Sequence, residues 1–355
     1  MRSNEAANQR KGIACAGNWI VDRVKVIDFY PPENALANIL AESIGGGGSA
    51  HNVTINLAKF DATLRLYAVG MIGDDANGDY IVAHCSEYPK IDTSQLHRTN
   101  AEKTSYTDVF SVKGTGRRTF FHYRGANRLF GPEAVTLDDL PVDFLHLGYL
   151  LLLDGMDQPY SRPDRLSDSR FKTVAARFLG EVQARNIKTS VDLVSEDSDR
   201  YSRIVPPALE YTNYCIINDF EAEKLSGVPL RTGNKILSHH LRQTAKAIFE
   251  HGVNDLVVIH FPEGAYLLAR DGSEIVQPSL ELPDDFIVGS TGAGDSFCAG
   301  MLYGLYQGWS HEKTLRFAAC AGGMNLSDLT TTGGIKTWKE VLDMEGRFAY
   351  RKDVF

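Results

Sequence analysis

The sequence predicts an α/β fold in which a doubly wound, largely parallel sheet forms the centre. Strand-like apolar runs alternate with segments of helical spacing from residue 12 to residue 332, which is the pattern of a sheet covered by helices on both faces. Several of these runs are continuously apolar, as expected for strands that are buried on both sides. Polar or glycine-rich stretches follow many of the runs, and ligands of such sheets bind at the carboxyl ends of the strands.

Composition narrows the class of protein. The chain has 355 residues, is 43% hydrophobic and carries a net charge of −8, so a large core can form and nothing favours nucleic acid or an acidic membrane as a partner. No run approaches the roughly 18 apolar residues of a membrane span. The polar N-terminus, residues 1–11, lacks the apolar core of a secretory signal, and we expect a loose tail on a cytoplasmic protein. The scattered cysteines include no CxxC pair, which favours buried, reduced thiols.

The first elements in the chain are two strands and a glycine-rich stretch. A buried strand is predicted over residues 12–21, ending at Asp22, and residues 24–29 alternate before two prolines interrupt them. The stretch GGGG at 45–48 then precedes a helical pattern and allows a ligand to approach the backbone closely, unless it is merely a flexible linker. A dinucleotide fingerprint would need glycine where His51 stands, which excludes a Rossmann dehydrogenase at this point.

The middle of the chain supplies further strands and a hairpin. A strand over 64–69 leads into the turn GMIGDDANG at 70–78, where Asp75 is the expected helix N-cap. Two β-rich runs, 104–112 and 117–123, flank the hairpin signal KGTG and are too polar for a buried sheet. A strand over 144–153 offers only His146, Tyr149 and Asp154 as polar residues, and we interpret His146 as a core histidine with hydrogen-bond partners.

Helices and strands continue to alternate in the second half of the chain. The predicted segments are a helix over 171–186, a strand over 187–193 that carries Asp192, a strand over 215–217, a strand over 256–260 followed by a hairpin from 264, and an Ala/Gly-rich helix over 317–329. The strand over 215–217 ends in Asn218, with Glu221 three residues later. Taken alone, this pair is typical of a helix cap with a first-turn glutamate.

One stretch, GSTGAGD at 289–295, carries the chemistry. It follows an apolar piece and leads into a long small-residue helix, so Gly292, Ala293 and Gly294 are predicted at a helix start. The unpaired N–H groups and the positive end of the helix dipole can hold a phosphate there. Beside such an anion site, Asp295 suits a general base that deprotonates a hydroxyl group, which is the logic of phosphoryl transfer to an alcohol. The alternative is an ordinary turn with Asp295 as a first-turn residue.

This stretch resembles the C-terminal signature of the ribokinase-like (PfkB) carbohydrate kinases, and GGSAHN at 47–52 resembles their N-terminal signature. The resemblance implies that Asp295 is the catalytic base and that residues 292–294 form the anion hole. It also implies sugar contacts. The implied contacts are Asp22, which follows Gly17 by the spacing of the family, together with Gly47, Gly48 and Asn52.

The resemblance extends to the nucleotide and the metal. Asn218 and Glu221 match a family motif associated with Mg²⁺ through ordered water, and Mg²⁺ needs few direct protein ligands. Thr291, Gly264 and Asn325 are the implied ATP contacts. Arg124 and Asn127 follow the hairpin, as in ribokinase-type members, and are candidates for substrate binding; alternatively, Arg124 is an ordinary solvated residue.

The sequence departs from the family in two places. Residues 260–262 read His-Phe-Pro where the family has Thr or Lys ahead of a glycine, and proline has no N–H to donate to a phosphate. Gly289 replaces an aspartate that helps to hold a monovalent cation in the family. A requirement for K⁺ is therefore an open question.

The resemblance covers most of the chain and predicts its organisation. We expect one ribokinase-like domain over 12–335, lid segments over about 22–44 and 104–124, and a C-terminal helix or tail over 336–355. The predicted protein is an ATP- and Mg²⁺-dependent kinase of a sugar or sugar acid, with a possible homodimer through the lids. A nucleoside kinase is an alternative, because the aromatic residues Phe120, Phe121 and Tyr123 lie in the lid segment. A non-catalytic sugar or nucleotide sensor is another alternative, resting on the two departures.

Overall fold

The computed structural model describes residues 11–114, 117–160, 171–233, 235–352 and residue 354. The N-terminal tail up to residue 10 and the tip of the predicted hairpin, residues 115–116, lie outside this part. The strands are β1 (Ile13–Gly17), β2 (Ile20–Ile27), β3 (Ile39–Gly47), β4 (Leu66–Gly73), β5 (Ile91–Thr99), β6 (Tyr106–Val112), β7 (Arg118–Tyr123), β8 (Phe144–Gly148), β9 (Lys188–Val191), β10 (Tyr214–Asn218), β11 (Arg231–Thr232), β12 (Lys235–Ile236), β13 (Leu256–Phe261), β14 (Gly264–Ala269) and β15 (Glu274–Pro278). The helices are α1 (Ser49–Phe60), α2 (Ala76–Ser86), α3 (Asp154–Asp157), α4 (Val174–Gln183), α5 (Arg200–Leu209), α6 (Asp219–Ser226), α7 (Leu241–Glu250), α8 (Ala293–Tyr306), α9 (His311–Asn325), α10 (Trp338–Leu342) and α11 (Met344–Arg347).

The central sheet has nine strands in the order β15-β14-β13-β10-β9-β8-β1-β4-β5. All pairs from β13 to β5 are parallel, whereas β14 and β15 add an antiparallel edge. This arrangement confirms the predicted α/β class. Over the ranges that the structure describes, no helix is both long enough and apolar enough to cross a membrane.

Both faces of the sheet are buried, which explains the continuous apolar runs. On β1, Ile13 and Cys15 belong to a core that includes α1, α8 and α9, while Ala14 and Ala16 belong to a second core with α4, α5 and α7. Successive side chains of a strand point to opposite faces, so every residue of such a strand must be apolar or small. All five cysteines are buried and free.

A second sheet, the lid, consists of four strands in the order β3-β2-β6-β7. The predicted strand over 12–21 is wrong, because β1 ends at Gly17 and β2 begins in the lid at Ile20. Gly17 has a φ of 116°, and the next residue, Asn18, donates from its side chain to the carbonyls of Gly148 (3.1 Å) and Tyr149 (3.0 Å). These contacts turn the chain out of the central sheet, so Asp22 lies within a lid strand.

Other predicted boundaries also shift. The strand expected over 144–153 ends at Gly148, because Tyr149 is left-handed with a φ of 48° and a short 3₁₀ turn follows. The predicted core position of His146 is confirmed, since its ring nitrogens lie 3.1 Å from Ser49 Oγ and 3.3 Å from Ser190 Oγ. Asp75 is the N-cap of α2, as predicted, and accepts from the N–H of Gly78.

Candidate active site

The two glycine-rich stretches meet at the carboxyl end of the central sheet. Helices α1 and α8 pack together there, and Asn56 donates to Ser296 Oγ at 3.0 Å. Thr331 Oγ1 also donates to the carbonyl of Gly46 at 2.6 Å. As a result, Asn52 and Asp295, which are 243 positions apart in the chain, are directly hydrogen-bonded.

The turn before α8 depends on glycine at one position. Gly292 is left-handed, with a φ of 79°, and a Cβ added there would lie only 2.1 Å from the carbonyl oxygen of Thr331. Asn325 on α9 supports the turn by donating to the carbonyl of Thr291 at 2.8 Å. The helix then begins at Ala293 with its first N–H groups beside Asp295, which is the geometry of an anion site at a helix start.

Asp295 is buried, with 5% of its surface exposed. Its Oδ2 accepts from Asn52 Nδ2 at 2.7 Å, and Tyr149 Oη lies 3.2 and 3.3 Å from its two oxygens. Burial raises the pKa of Asp295 to about 6, and the hydrogen bonds from Asn52 and Tyr149 oppose that rise. The carboxylate form therefore prevails at neutral pH, and it can accept a proton from a hydroxyl group.

Asp295 faces a cavity of about 390 Å³ under the lid, which we call the carboxylate cavity. Nine of the predicted site residues line it: Asp22, Gly48, Asn52, Asn218, Glu221, Thr291, Gly292, Gly294 and Asp295. Side chains to which the sequence assigned no role also line it, among them Thr107, His122, Tyr149, Asp192 and His260.

A second cavity of about 610 Å³ lies on the other side of the turn, and we call it the hydrophobic cavity. Its apolar lining includes Phe220, Phe261, Leu280, Leu282, Ile287, Phe297 and Leu326. The predicted residues Asn218, Gly264, Ala293 and Gly294 also line it. The two cavities share Ser195, Asn218, His260 and Gly294. The glycine-rich turn therefore stands between a polar compartment and an apolar one.

Two predicted sugar contacts, Arg124 and Asn127, are placed elsewhere. The guanidinium of Arg124 pairs with Asp154 at 2.8 Å and with Glu196 at 3.2 Å. The Asn127 side chain accepts from the N–H of Trp19 and donates to its carbonyl, which stabilises the segment between β1 and β2. Neither residue lines the carboxylate cavity, so the structure does not support the predicted substrate contacts.

Gly47 and Asn325, also predicted as ligand contacts, line neither cavity. A Cβ on Gly47 would lie 2.4 Å from the carboxylate of Asp22, so the missing side chain leaves room for that group. Asn325 reaches the backbone of Thr291 and lines neither cavity. Gly47 thus permits the position of Asp22, and Asn325 supports the turn.

Asn218 and Glu221 form a capping box on α6, so the helix-cap alternative is confirmed. Their side chains also line the carboxylate cavity, and burial raises the pKa of Glu221 to about 8. In the part of the chain that the structure describes, no cluster of three acidic, histidine or cysteine side chains forms a metal cage. The Glu221 carboxyl accepts from Ser195 Oγ and from the Asn218 N–H. Oxygen groups of this kind suit Mg²⁺ held through water, because Mg²⁺ keeps several waters of its own.

Sequence reasoning named Tyr149 and Asp192 without assigning them roles. They follow β8 and β9 at the carboxyl end of the sheet. Because ligands of such sheets bind at the carboxyl ends of the strands, that position could have indicated a role in the site. A left-handed φ is rare for a bulky residue and marks strain at functional sites. Here the hydrogen bond from Asn18 to the Tyr149 carbonyl holds that conformation and directs the phenol toward Asp295. The lid residues Thr107 and His122 had no local signal.

A buried carboxylate beside a glycine-rich helix start, at the carboxyl end of a parallel sheet, suits the class of enzymes that transfer a phosphoryl group to an alcohol. The family model described as pfkB family carbohydrate kinase matches residues 13–338. The chain therefore belongs to the PfkB family of carbohydrate kinases.

Known relatives agree with this assignment. A ribokinase of Arabidopsis thaliana is 25% identical over 314 residues, covering 88% of this chain and 75% of the relative. A 5-dehydro-2-deoxygluconokinase of Shouchella clausii is 22% identical over 302 residues, covering 83% of this chain and 84% of the relative. The solved structure of Arabidopsis thaliana ribokinase complexed with ribose and ATP superposes with a TM-score of 0.76 at 22% identity, covering 94% of this chain and 98% of the other.

Proposed function

We propose that the protein transfers the γ-phosphoryl group of ATP to a hydroxyl group of a sugar or sugar acid. The observation that carries this proposal is the buried carboxylate of Asp295 beside the glycine-rich turn, at the junction of the two cavities. Asp295 deprotonates the acceptor hydroxyl, and the N–H groups at residues 292–294 stabilise the charge on the transferring phosphoryl group. The kinase domain spans 12–335.

The two cavities divide the substrates between them. The acceptor occupies the carboxylate cavity, where Asp22, Gly48 and Asn52 offer hydrogen-bond partners to hydroxyl groups. ATP occupies the hydrophobic cavity, whose apolar walls suit the adenine, with Gly264 and Gly294 on its surface. Mg²⁺, held through water by Asn218 and Glu221, neutralises phosphate charge. Gly289 offers no side-chain ligand for a monovalent cation, so K⁺ is no part of this proposal.

The lid supplies a cation for the phosphates. Arg118 on β7 donates to Ser290 Oγ at 2.7 Å, which ties the lid to the glycine-rich turn. Arg118 is partly buried, and no carboxylate pairs with it over the described ranges. Because Pro262 cannot donate an N–H group, Arg118 is a suitable replacement for the missing phosphate contact.

We expect Arg118→Met to raise the KM for ATP by about 10- to 100-fold, since a charge-assisted hydrogen bond contributes about 1.5–3 kcal/mol. The same substitution at Arg23, which stacks on Tyr106 elsewhere in the lid, is the matched control and should leave this KM unchanged. Steady-state kinetics with varied ATP checks both variants. An unchanged KM for ATP in Arg118→Met would exclude this role.

The function is tested by ADP release from Mg-ATP across sugars, sugar acids and nucleosides, with EDTA as the metal control. We expect turnover of at least one sugar or sugar acid, lost when the metal is removed. The relatives named above refer to ribose, a neutral sugar, and to a dehydrodeoxygluconate, a sugar acid, so both classes belong in the panel. Turnover of nucleosides, with none of the sugars or sugar acids, would favour the alternative of a nucleoside kinase.

The nucleoside alternative has limited support in the lid. Of the three aromatic residues that suggest it, only Phe120 lines the carboxylate cavity. Phe121 packs on Phe110, and Tyr123 packs on Tyr106 while its hydroxyl bonds Glu102. The sensor alternative has no structural observation in its favour, because a non-catalytic protein would not need the base at Asp295.

A homodimer through the lids is the expected assembly. β3 is an edge strand of the lid sheet and exposes Ile39, Leu40 and Ile44, the last at 61%, and such an edge invites pairing with another chain. We expect light scattering to give the mass of a dimer and Leu40→Asp to give a monomer. Val276→Asp, at an exposed site on the edge of the other sheet, is the control. A monomeric wild type would overturn the expectation.

A further inference from the structure

The carboxylate cavity is unusually rich in acidic groups. Asp22, Asp192, Glu221 and Asp295 all line it, whereas no lysine or arginine does so among the described residues. Burial, together with the charge of Asp295, raises the pKa of Asp22 to about 7. Burial and the charges of Glu221 and Asp295 also raise the pKa of Asp192. Four carboxyl groups and, among the described residues, no lysine or arginine therefore face the same space, and this arrangement disfavours a further buried negative charge there.

The histidines of the cavity do not compensate for this charge. Burial lowers the pKa of both His122 and His260 to about 4. Both rings are therefore neutral at pH 7 and can contribute only hydrogen bonds.

Arg118 and Arg124, which lie on or just after β7, have partners outside this cavity. Arg124 is paired with Asp154 and Glu196, and Arg118 points to Ser290, which lines the hydrophobic cavity. Mg-ATP is itself anionic and supplies no surplus positive charge. A carboxylate or phosphate group on the acceptor would thus be buried without a cationic partner, which disfavours its binding.

One buried nitrogen without a hydrogen-bond partner, His122 Nε2, indicates which ligand groups suit the cavity. His122 Nε2 is buried without a hydrogen-bond partner, while Nδ1 lies 3.1 Å from Thr107 Oγ1. The Thr107 hydroxyl donates to Asp22, so it accepts from a protonated Nδ1. Nε2 is therefore an acceptor, and together with the carboxylates it calls for a ligand that donates O–H groups.

We propose that the acceptor is an uncharged polyhydroxyl compound, and that the cavity discriminates against sugar acids and sugar phosphates. This inference rests on the proposed kinase function and narrows it. Hydroxyl groups satisfy Asp22, Asn52 and His122 without adding charge, so the site binds the neutral sugar and leaves its aldonic acid or phosphate ester in solution.

The test compares matched pairs in binding and in turnover: aldopentoses and aldohexoses against their aldonates and their phosphate esters. We expect kcat/KM for the neutral member to exceed that for its acid by about 100-fold, corresponding to a few kcal/mol. Calorimetry without ATP should show the same order. An acid that binds or reacts better than its neutral partner overturns the inference but leaves the kinase intact. Binding of ATP with no binding by any neutral compound also counts against it.

A variant tests whether the discrimination between neutral and acidic acceptors has an electrostatic origin. His122→Arg places a cation in the cavity, and we expect the neutral-to-acid ratio of kcat/KM to fall by about tenfold. His97→Arg, at an exposed strand position, makes the same change outside the cavity and should keep the wild-type ratio. If His122→Arg abolishes turnover, the ratio of the binding constants of the neutral sugar and its acid is compared between variant and wild type instead. An unchanged ratio in His122→Arg would contradict the proposed charge discrimination.

Discussion

Asp295→Asn is expected to lower turnover by about 10²–10⁴-fold, the usual loss when a general base is removed. The substitution keeps the size of the side chain but replaces the proton acceptor that faces the carboxylate cavity. ATP affinity should remain close to normal, since Asp295 does not line the hydrophobic cavity. ADP release and calorimetry with ATP measure the two effects separately.

Asp139→Asn is the control, because it makes the same change at an exposed site outside both cavities. In the wild type, the dependence of kcat/KM on pH should follow the ionisation of Asp295. The pKa of Asp295 is about 6, and the active form is the carboxylate, so kcat/KM should fall by about tenfold per pH unit below that value. Turnover near the wild-type level in Asp295→Asn would remove the central element of the proposed mechanism.

Gly292→Ala is expected to reduce kcat by about 10²–10³-fold, comparable to the loss of an anion-hole donor. The added Cβ would lie 2.1 Å from the Thr331 carbonyl, and the φ of 79° disfavours any side chain. The turn must therefore shift, and its N–H groups move away from the transferring phosphoryl group.

Gly272→Ala separates this effect from backbone strain alone. Gly272 has a φ of 88° with no atom within 4 Å of an added Cβ, and it lies in the hairpin between β14 and β15. The control should lose about 1 kcal/mol of stability, the penalty for a left-handed residue, with normal kinetics. Thermal melting and steady-state kinetics distinguish the two variants. If both lose equal stability and neither loses kcat, the turn is not the anion site.

The local parts of the site were readable from the sequence. The sequence placed Gly292 at a helix start, Asp295 just after it and Asn52 in a helix of small residues, each for a chemical reason in its own neighbourhood. The left-handed φ of Gly292 came from the structure. The structure places Gly292, Asp295 and Asn52 on the wall of one cavity, and the roles that the resemblance implies for them stay predictions. The parallel sheet was likewise predictable, since strands buried on both faces must be continuously apolar.

Contacts between distant segments were not readable in this way. Nothing in the sequence indicated that Asp154 and Glu196 would pair with the guanidinium of Arg124, a predicted substrate contact. The roles of Tyr149 and Asp192 also depend on which strands are neighbours, and the orphan nitrogen of His122 depends on where the lid rests.

The sequence by itself determined the α/β class, the glycine-rich turn and the expected kinase chemistry, because backbone conformation and strand burial impose local rules on residue type. Only the tertiary structure decided that four carboxyl groups and two neutral histidines share one cavity. The physical reason is that charge and burial act through space. Burial, together with the charge of Asp295, raises the pKa of Asp22, and no local pattern could place those two residues near each other.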